Sequence, residues 1–273
     1  MSVSKGRLFI IGGNENKGEK SILKDFVRLS GGSNACIGVI PTATKDPEET
    51  GERYKEVFKN FGAEDVHVLN IQTRKDGDKK ALINLFDDIT GVYFTGGDQL
   101  RITSIIGGTE FDKKLHEYHR KGLVVGGTSA GASVMSDTMI VEGLDESPPA
   151  KSTVNMAPGL GFLQRTVIDQ HFDQRGRMGR LLTVVAQNPH VLGFGIDEDT
   201  AIVTEDETML KVLGTQTVTV VDGSKIDHSN IIKEGEDQPL AITNIIIHVL
   251  SAGYFFDLKR RHVKGGLEFE SSR

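Results

Sequence analysis

The sequence predicts an α/β protein: a doubly wound, mostly parallel sheet with helices on both faces and a smaller antiparallel element near the C-terminus. Two observations carry this. In the first half, short apolar, β-branched runs alternate with stretches of helical periodicity, without internal repeats, and three of the runs end in Gly-Gly. In the second half, short strands follow one another with glycine turns between them. All 273 residues read as one domain, with 259–273 as a frayed polar tail.

Arg7 to Ile11 reads as a buried strand ending at Gly12-Gly13-Asn14, followed by a helix from Ser21 to Leu29. Cys36 to Ile40 is a second strand, closed by Pro41-Thr42-Ala43-Thr44. From Pro47, apolar Tyr54, Val57, Phe58 and Phe61 recur at helical spacing until Gly62 stops the run. Val66 to Leu69 and Gly91 to Phe94 are strands, and Lys79 to Phe86 and Phe111 to Arg120 are helices. Beyond the Pro148-Pro149 loop come strands at Val167 and at His190 to Ile196, with a helix carrying Arg175, Arg177 and Arg180 between them, from Asp173 to Leu182. Thr200 to Val203, Met209 to Val212 and Val218 to Val221 read as an antiparallel meander, and Ile245 to Leu250 as a last strand.

Composition removes several function classes. Lys and Arg number 32 against 38 Asp and Glu, a net charge of −6, so no basic stripe serves a nucleic-acid partner. No stretch reaches the roughly 20 apolar residues of a membrane helix, and the apolar run after Met1 is too short for a signal peptide; a cytoplasmic address follows by default. The single cysteine, Cys36, has no partner for an internal disulfide and reads as a small buried hydrophobe.

In doubly wound sheets ligands bind at the carboxyl ends of the strands. Gly12-Gly13 lacks the spacing of a dinucleotide loop. Leu123-Val124-Val125 runs instead into Gly127-Thr128-Ser129-Ala130-Gly131, the G-x-S-x-G pattern of a nucleophile elbow. A side chain on so sharp a turn is strained, and bulk two positions before or after it would strike the neighbouring strand or helix. Ser129 then stands above the sheet edge, with the Ala130 N–H pointing where an oxyanion would form. Thr95-Gly96-Gly97-Asp98-Gln99 follows another strand, and its close-lying backbone places a second donor there.

A serine hydroxyl needs a base, and the base a group that orients it. Of the eight histidines, His67, His116, His119, His190, His228, His248 and His262 sit in strand, amphipathic-helix or polar contexts with structural explanations. His171 differs: it ends an apolar strand beside Asp169 and Gln170. Asp197, Glu198 and Asp199 at a later strand end are the candidate acids; alternation puts Glu198 on the face opposite the other two, and periodicity does not say which face serves. Asp169, His171 and Asp173 alternate as a zinc site would, but a catalytic zinc wants more His or Cys and leaves the elbow unexplained.

FTGGDQLR (Phe94–Arg101), GGTSAGAS (Gly126–Ser133), MAPGLGFL (Met156–Leu163), IDQHFDQRGRMGRL (Ile168–Leu181) and GIDEDTA (Gly195–Ala201) together resemble the cyanophycinases. These are serine exopeptidases of the dipeptidase E superfamily that degrade multi-L-arginyl-poly-L-aspartate. The resemblance implies Ser129 as nucleophile, His171 as general base and Glu198 as the orienting acid, with the oxyanion held by the Gly97 and Ala130 N–H groups. It also implies a substrate pocket of Gln99, Asp169, Gln170, Arg175, Arg177 and Arg180, no metal or cofactor, and a homodimer. Asp199 departs from the Asn of many relatives and removes none of these roles. Each polymer unit bears a carboxylate and a guanidinium, which arginine forks and an acid such as Asp169 suit. An aspartyl dipeptidase of the same superfamily and a catalytically silent cyanophycin-binding protein are the competing readings. A cysteine-dependent amidotransferase relative is excluded by the serine at 129.

Overall fold

A computed structural model of the chain describes residues 6–204, 208–232, 235 and 238–265. In chain order the elements are β1 (Leu8–Ile11), α1 (Leu23–Leu29), β2 (Cys36–Ile40), α2 (Pro47–Asn60), β3 (Asp65–Val68), α3 (Lys80–Asn84), β4 (Gly91–Phe94), α4 (Gln99–Ile106) and α5 (Glu110–Arg120). Then come β5 (Val124–Thr128), α6 (Ala130–Ser133), β6 (Thr138–Gly143), β7 (Val154–Pro158), β8 (Thr166–Gln170), α7 (Met178–Gln187), β9 (Leu192–Ile196) and β10 (Thr200–Thr204). The chain closes with β11 (Met209–Gly214), β12 (Thr217–Asp222), β13 (Ile246–Ser251), β14 (Phe255–Asp257) and β15 (His262–Lys264).

The main sheet has nine strands in the order β15-β14-β11-β10-β1-β5-β4-β2-β3. From β3 to β1 the pairs are parallel, and from β1 outward through β10 they are antiparallel. β1 is the seam, and it is buried on both faces: Leu8 and Ile10 enter one core while Phe9 and Ile11 enter the other. That second core is aromatic; Phe26 meets Phe9, Phe58 and Tyr93 with ring centres 5.2–5.9 Å apart.

A second sheet, β13-β12-β9-β8, pairs β8 with β9 in parallel and the rest antiparallel. This corrects the expected meander. β10 and β11 pair in the main sheet, but β12 lies between β9 and β13: Asp197–Asp199 carry the chain from the second sheet into the main one, and Thr215-Gln216 carry it back.

Other expectations are corrected locally. The arginine helix is broken: Asp173–Arg175 form a single 3-10 turn, Gly176 turns left-handed at φ 57°, and α7 starts only at Met178. The helix after the elbow is only four residues long. α4 follows the Gly-Gly loop directly, with the Asp98 carboxylate accepting the Leu100 N–H at 2.8 Å as its N-cap. The tail expected to fray from 259 instead adds β15 to the sheet edge, and 266–273 lie outside the described residues. Cys36 is half-buried at the start of β2 rather than sealed in the core. Among the described residues no helix is long and apolar enough to cross a membrane.

Candidate active site

Three neighbouring strands of the parallel half, β1, β5 and β4, end at one edge in Gly12-Gly13, Ser129 and Gly96-Gly97. The second sheet brings the ends of β8 and β9 to the same place. Four of the eight non-glycine residues with positive φ among the described residues, Asn14, Ser129, His171 and Asp199, converge here. Such backbone costs on the order of 1–3 kcal/mol per residue and persists where packing over-determines it.

Ser129 has φ 53° and ψ −112°, and its N–H donates to the Ile11 carbonyl at 3.1 Å. The glycines flanking it have steric causes: a Cβ on Gly127 would strike the Gly131 backbone, and one on Gly131 would lie 2.8 Å from the Phe94 carbonyl carbon. Ser129 Oγ is 3.0 Å from His171 Nε2, and His171 Nδ1 is 2.7 Å from Glu198 Oε1. A carboxylate at Nδ1 selects the tautomer with its proton there, leaving Nε2 free to accept from the serine.

The imidazole is held from below. Its backbone N–H donates to the Gly12 carbonyl at 2.8 Å, and the ring lies over Gly13, where any Cβ would collide with it. Burial lowers the His171 pKa and the Glu198 hydrogen bond opposes that, with a net fall. Burial pushes Glu198 up, but hydrogen bonds from Asn14 and His171 bring it below its ordinary value. The second Glu198 oxygen accepts from Asn14 Nδ2 at 2.7 Å. Asp197 instead accepts from Asp173 N–H and Thr217, and Asp199 from Asn16 N–H and the Thr215 hydroxyl. Of the three acids, Glu198 alone meets the histidine.

Gly96 packs on Ser129: a Cβ there would be 3.4 Å from Ser129 Cβ. Gly97 follows with φ 141°, and Ala130, first in α6, has an N–H with no acceptor inside the helix.

Of the six residues expected to line the substrate pocket, Gln99, Asp169, Arg177 and Arg180 are held by other partners within the protein. Gln99 Nε2 donates to the carbonyls of Ile140 and Val141, both at 2.9 Å, tying α4 to β6. Gln170 Oε1 lies 3.3 Å from Ser129 Oγ. Asp169 is 1% exposed and receives the Arg180 fork, Nε at 2.6 Å and Nη2 closer still. Arg177, 5% exposed like Arg180, donates to Asp145 at 2.8 Å and to the Gln170 carbonyl at 2.5 Å. Both guanidiniums are committed inside the protein; only Arg175 is exposed, with its charge felt at His171 and Glu198. Nor do Asp169, His171 and Asp173 converge. Positive φ at His171 breaks the alternation that a shared face needed, and among the described residues no three His, Cys, Asp or Glu side chains gather as a metal site would need.

A cavity of about 470 Å³ opens on Ser129, His171 and Glu198, and none of those six residues lines it. Its far wall comes from the β1–α1 loop and α2: Asn14, Glu15, Lys17, Thr50, Arg53 and Tyr54. Glu15 accepts from the Tyr54 and Thr128 hydroxyls, each at 2.6 Å, and pairs with Lys17 at 3.1 Å. Sequence reasoning missed this wall. Its signal was the polar run Asn14-Glu15-Asn16 after a buried strand, weighed only as a dinucleotide loop.

Residues 8–212 match the family described as Peptidase family S51. The chain belongs to peptidase family S51. Over 265 residues this family member is 37% identical to the cyanophycinase of Geminocystis herdmanii, covering 96% of this chain and 97% of that one. It is 40% identical over 262 residues to the cyanophycinase of Trichormus variabilis, covering 95% and 88%. In fold it is similar to a crystal structure of a peptidase from an acI-B1 Actinobacterium, with a TM-score of 0.68, 21% identity and 94% and 98% of the two chains covered.

Proposed function

We propose that this S51 peptidase hydrolyses cyanophycin to β-aspartyl-arginine dipeptides as a serine exopeptidase, through an acyl-enzyme. The observation that carries the reading is the Ser129–His171–Glu198 chain, at 3.0 and 2.7 Å, in a sequence similar end to end to proteins named cyanophycinase.

Neutral His171 takes the Ser129 proton as Oγ attacks a backbone carbonyl, and Glu198 stabilises the resulting imidazolium. The oxyanion is received by the Gly97 and Ala130 N–H groups. His171 then returns its proton to the leaving amine, the C–N bond breaks, and an ester to Ser129 remains. Water, deprotonated by the same histidine, hydrolyses the ester and frees the serine. Each step uses side chains or N–H groups of the chain itself.

The working form in this reading is a cytoplasmic homodimer. A lone cysteine suits a reducing compartment, and Ile247 and Val249, 43% and 63% exposed on the outer strand β13, suit a second copy. Incubation with insoluble cyanophycin and mass analysis of the soluble products is the direct test. Release of β-aspartyl-arginine is expected; an intact polymer beside hydrolysis of small Asp-X peptides would favour an aspartyl dipeptidase.

A further inference from the structure

We propose that Arg53, backed by the Thr44 and Thr50 hydroxyls, is a carboxylate-binding subsite in the cavity that opens on Ser129. It takes the free α-carboxylate of an isopeptide-linked arginine in the polymer unit bound there. The proposal rests on the reading of the protein as a cyanophycin hydrolase and names what holds one of the substrate's two charges.

Arg53 stands on α2, is exposed, lines the cavity, and has no carboxylate within ion-pair distance among the described residues. The other cation of that wall, Lys17, is already paired with Glu15. Nor is the Arg53 head unsupported. Its guanidinium carbon lies 5.7 Å from the centre of the Tyr54 ring, and the Tyr54 hydroxyl is fixed on Glu15. Glu15 also holds Thr128, the residue before the nucleophile. A continuous chain of packed and hydrogen-bonded groups therefore links the guanidinium to the serine turn.

The hydroxyls complete the site. Thr44 Oγ1 accepts from the Asp46 N–H at 3.3 Å and from Thr50 Oγ1 at 3.5 Å, so its own proton is free for a ligand oxygen. Thr44 is anchored beside the oxyanion loop, because the preceding Ala43 carbonyl receives the Asp98 N–H at 2.9 Å. A fork plus a hydroxyl suits a carboxylate. The cavity volume, about 470 Å³, falls within the roughly 300–1,000 Å³ of small-ligand sites.

The test uses the full-length Ser129→Ala protein, with and without Arg53→Gln, titrated calorimetrically with β-aspartyl-arginine and with the same dipeptide carrying its arginine carboxylate as an amide. In Ser129→Ala the amide is expected to bind about tenfold more weakly than the acid, as loss of a charge-assisted hydrogen bond at an exposed site implies. Arg53→Gln should weaken the acid by the same factor and abolish the acid–amide difference, and Arg53→Lys should restore part of it. A difference that survives Arg53→Gln overturns the subsite, because the carboxylate is then held elsewhere. Wild-type hydrolysis of the polymer, measured alongside, separates that result from failure of the functional reading. A protein that neither hydrolyses cyanophycin nor binds the dipeptide overturns both.

Discussion

Two walls carry arginines near Ser129, and they differ in what answers the charge. On the α7 side, Arg177 and Arg180 are buried against Asp169 and Asp145, and Arg177 donates to the Gln170 carbonyl just before His171. On the α2 side, Arg53 faces an open cavity with no carboxylate within ion-pair distance among the described residues. A buried guanidinium needs a carboxylate to offset its desolvation, whereas an exposed one keeps its water and can exchange it for a ligand in the cavity it lines. Arginine count alone does not distinguish the two.

The largest expected effect cuts between the walls. Ser129→Ala should lower kcat by on the order of 10⁶-fold while the unfolding transition stays in place, since nucleophile removal in a serine triad has that size. An unchanged rate would remove Ser129 from the chemistry.

The walls themselves should then part company. Asp169→Ala removes the buried carboxylate shared by Arg177 and Arg180 and leaves them only the partly exposed Asp145, so it should destabilise the protein by about 3–5 kcal/mol in denaturant titration. Arg53→Gln, at an exposed site, should leave the midpoint within about 0.5 kcal/mol. Equal losses of stability would erase the contrast between the two walls.

Asn14→Ala should cost about tenfold to a hundredfold in kcat/KM, because it removes a hydrogen bond to a charged carboxylate while leaving the serine and histidine in place. With one fewer donor the Glu198 pKa should also rise, which a pH profile would register and a purely structural defect would not.

The wild-type pH profile follows from the histidine. Burial lowers the His171 pKa, and protonated Nε2 cannot accept from Ser129. Activity should therefore fall as pH drops through a midpoint below histidine's ordinary value of about 6.5. A midpoint well above it would mean that the Glu198 interaction outweighs burial. The smallest expected effect is none at all: a strong chelator should leave the rate unchanged, and a loss restored by zinc would revive the metal reading.

The sequence was informative where local sterics decide. The turn at 127–131 needs Gly on both sides of Ser129 because the backbones of Gly131 and Phe94 occupy the space a Cβ would take, and that requirement shows in the letters themselves. The strands at β2 and β4 were legible for a similar reason, being short runs of apolar residues buried on both faces. Periodicity gave no choice among Asp197, Glu198 and Asp199; the family resemblance pointed to Glu198, and its geometry comes from the chain crossing between sheets there.

Other features were set only by tertiary packing. The partners of Arg177 and Arg180 come from β8 and from the loop after β6, and α2, which carries Arg53, is brought towards Ser129 by the pairing of β2 with β4 and of β4 with β5. A sequence records which groups can ionise and where a chain must turn. Whether a charge is neutralised inside or left facing a cavity depends on what the fold sets against it, and some of those neighbours lie far along the chain, as Asp145 does from Arg177, 32 residues away.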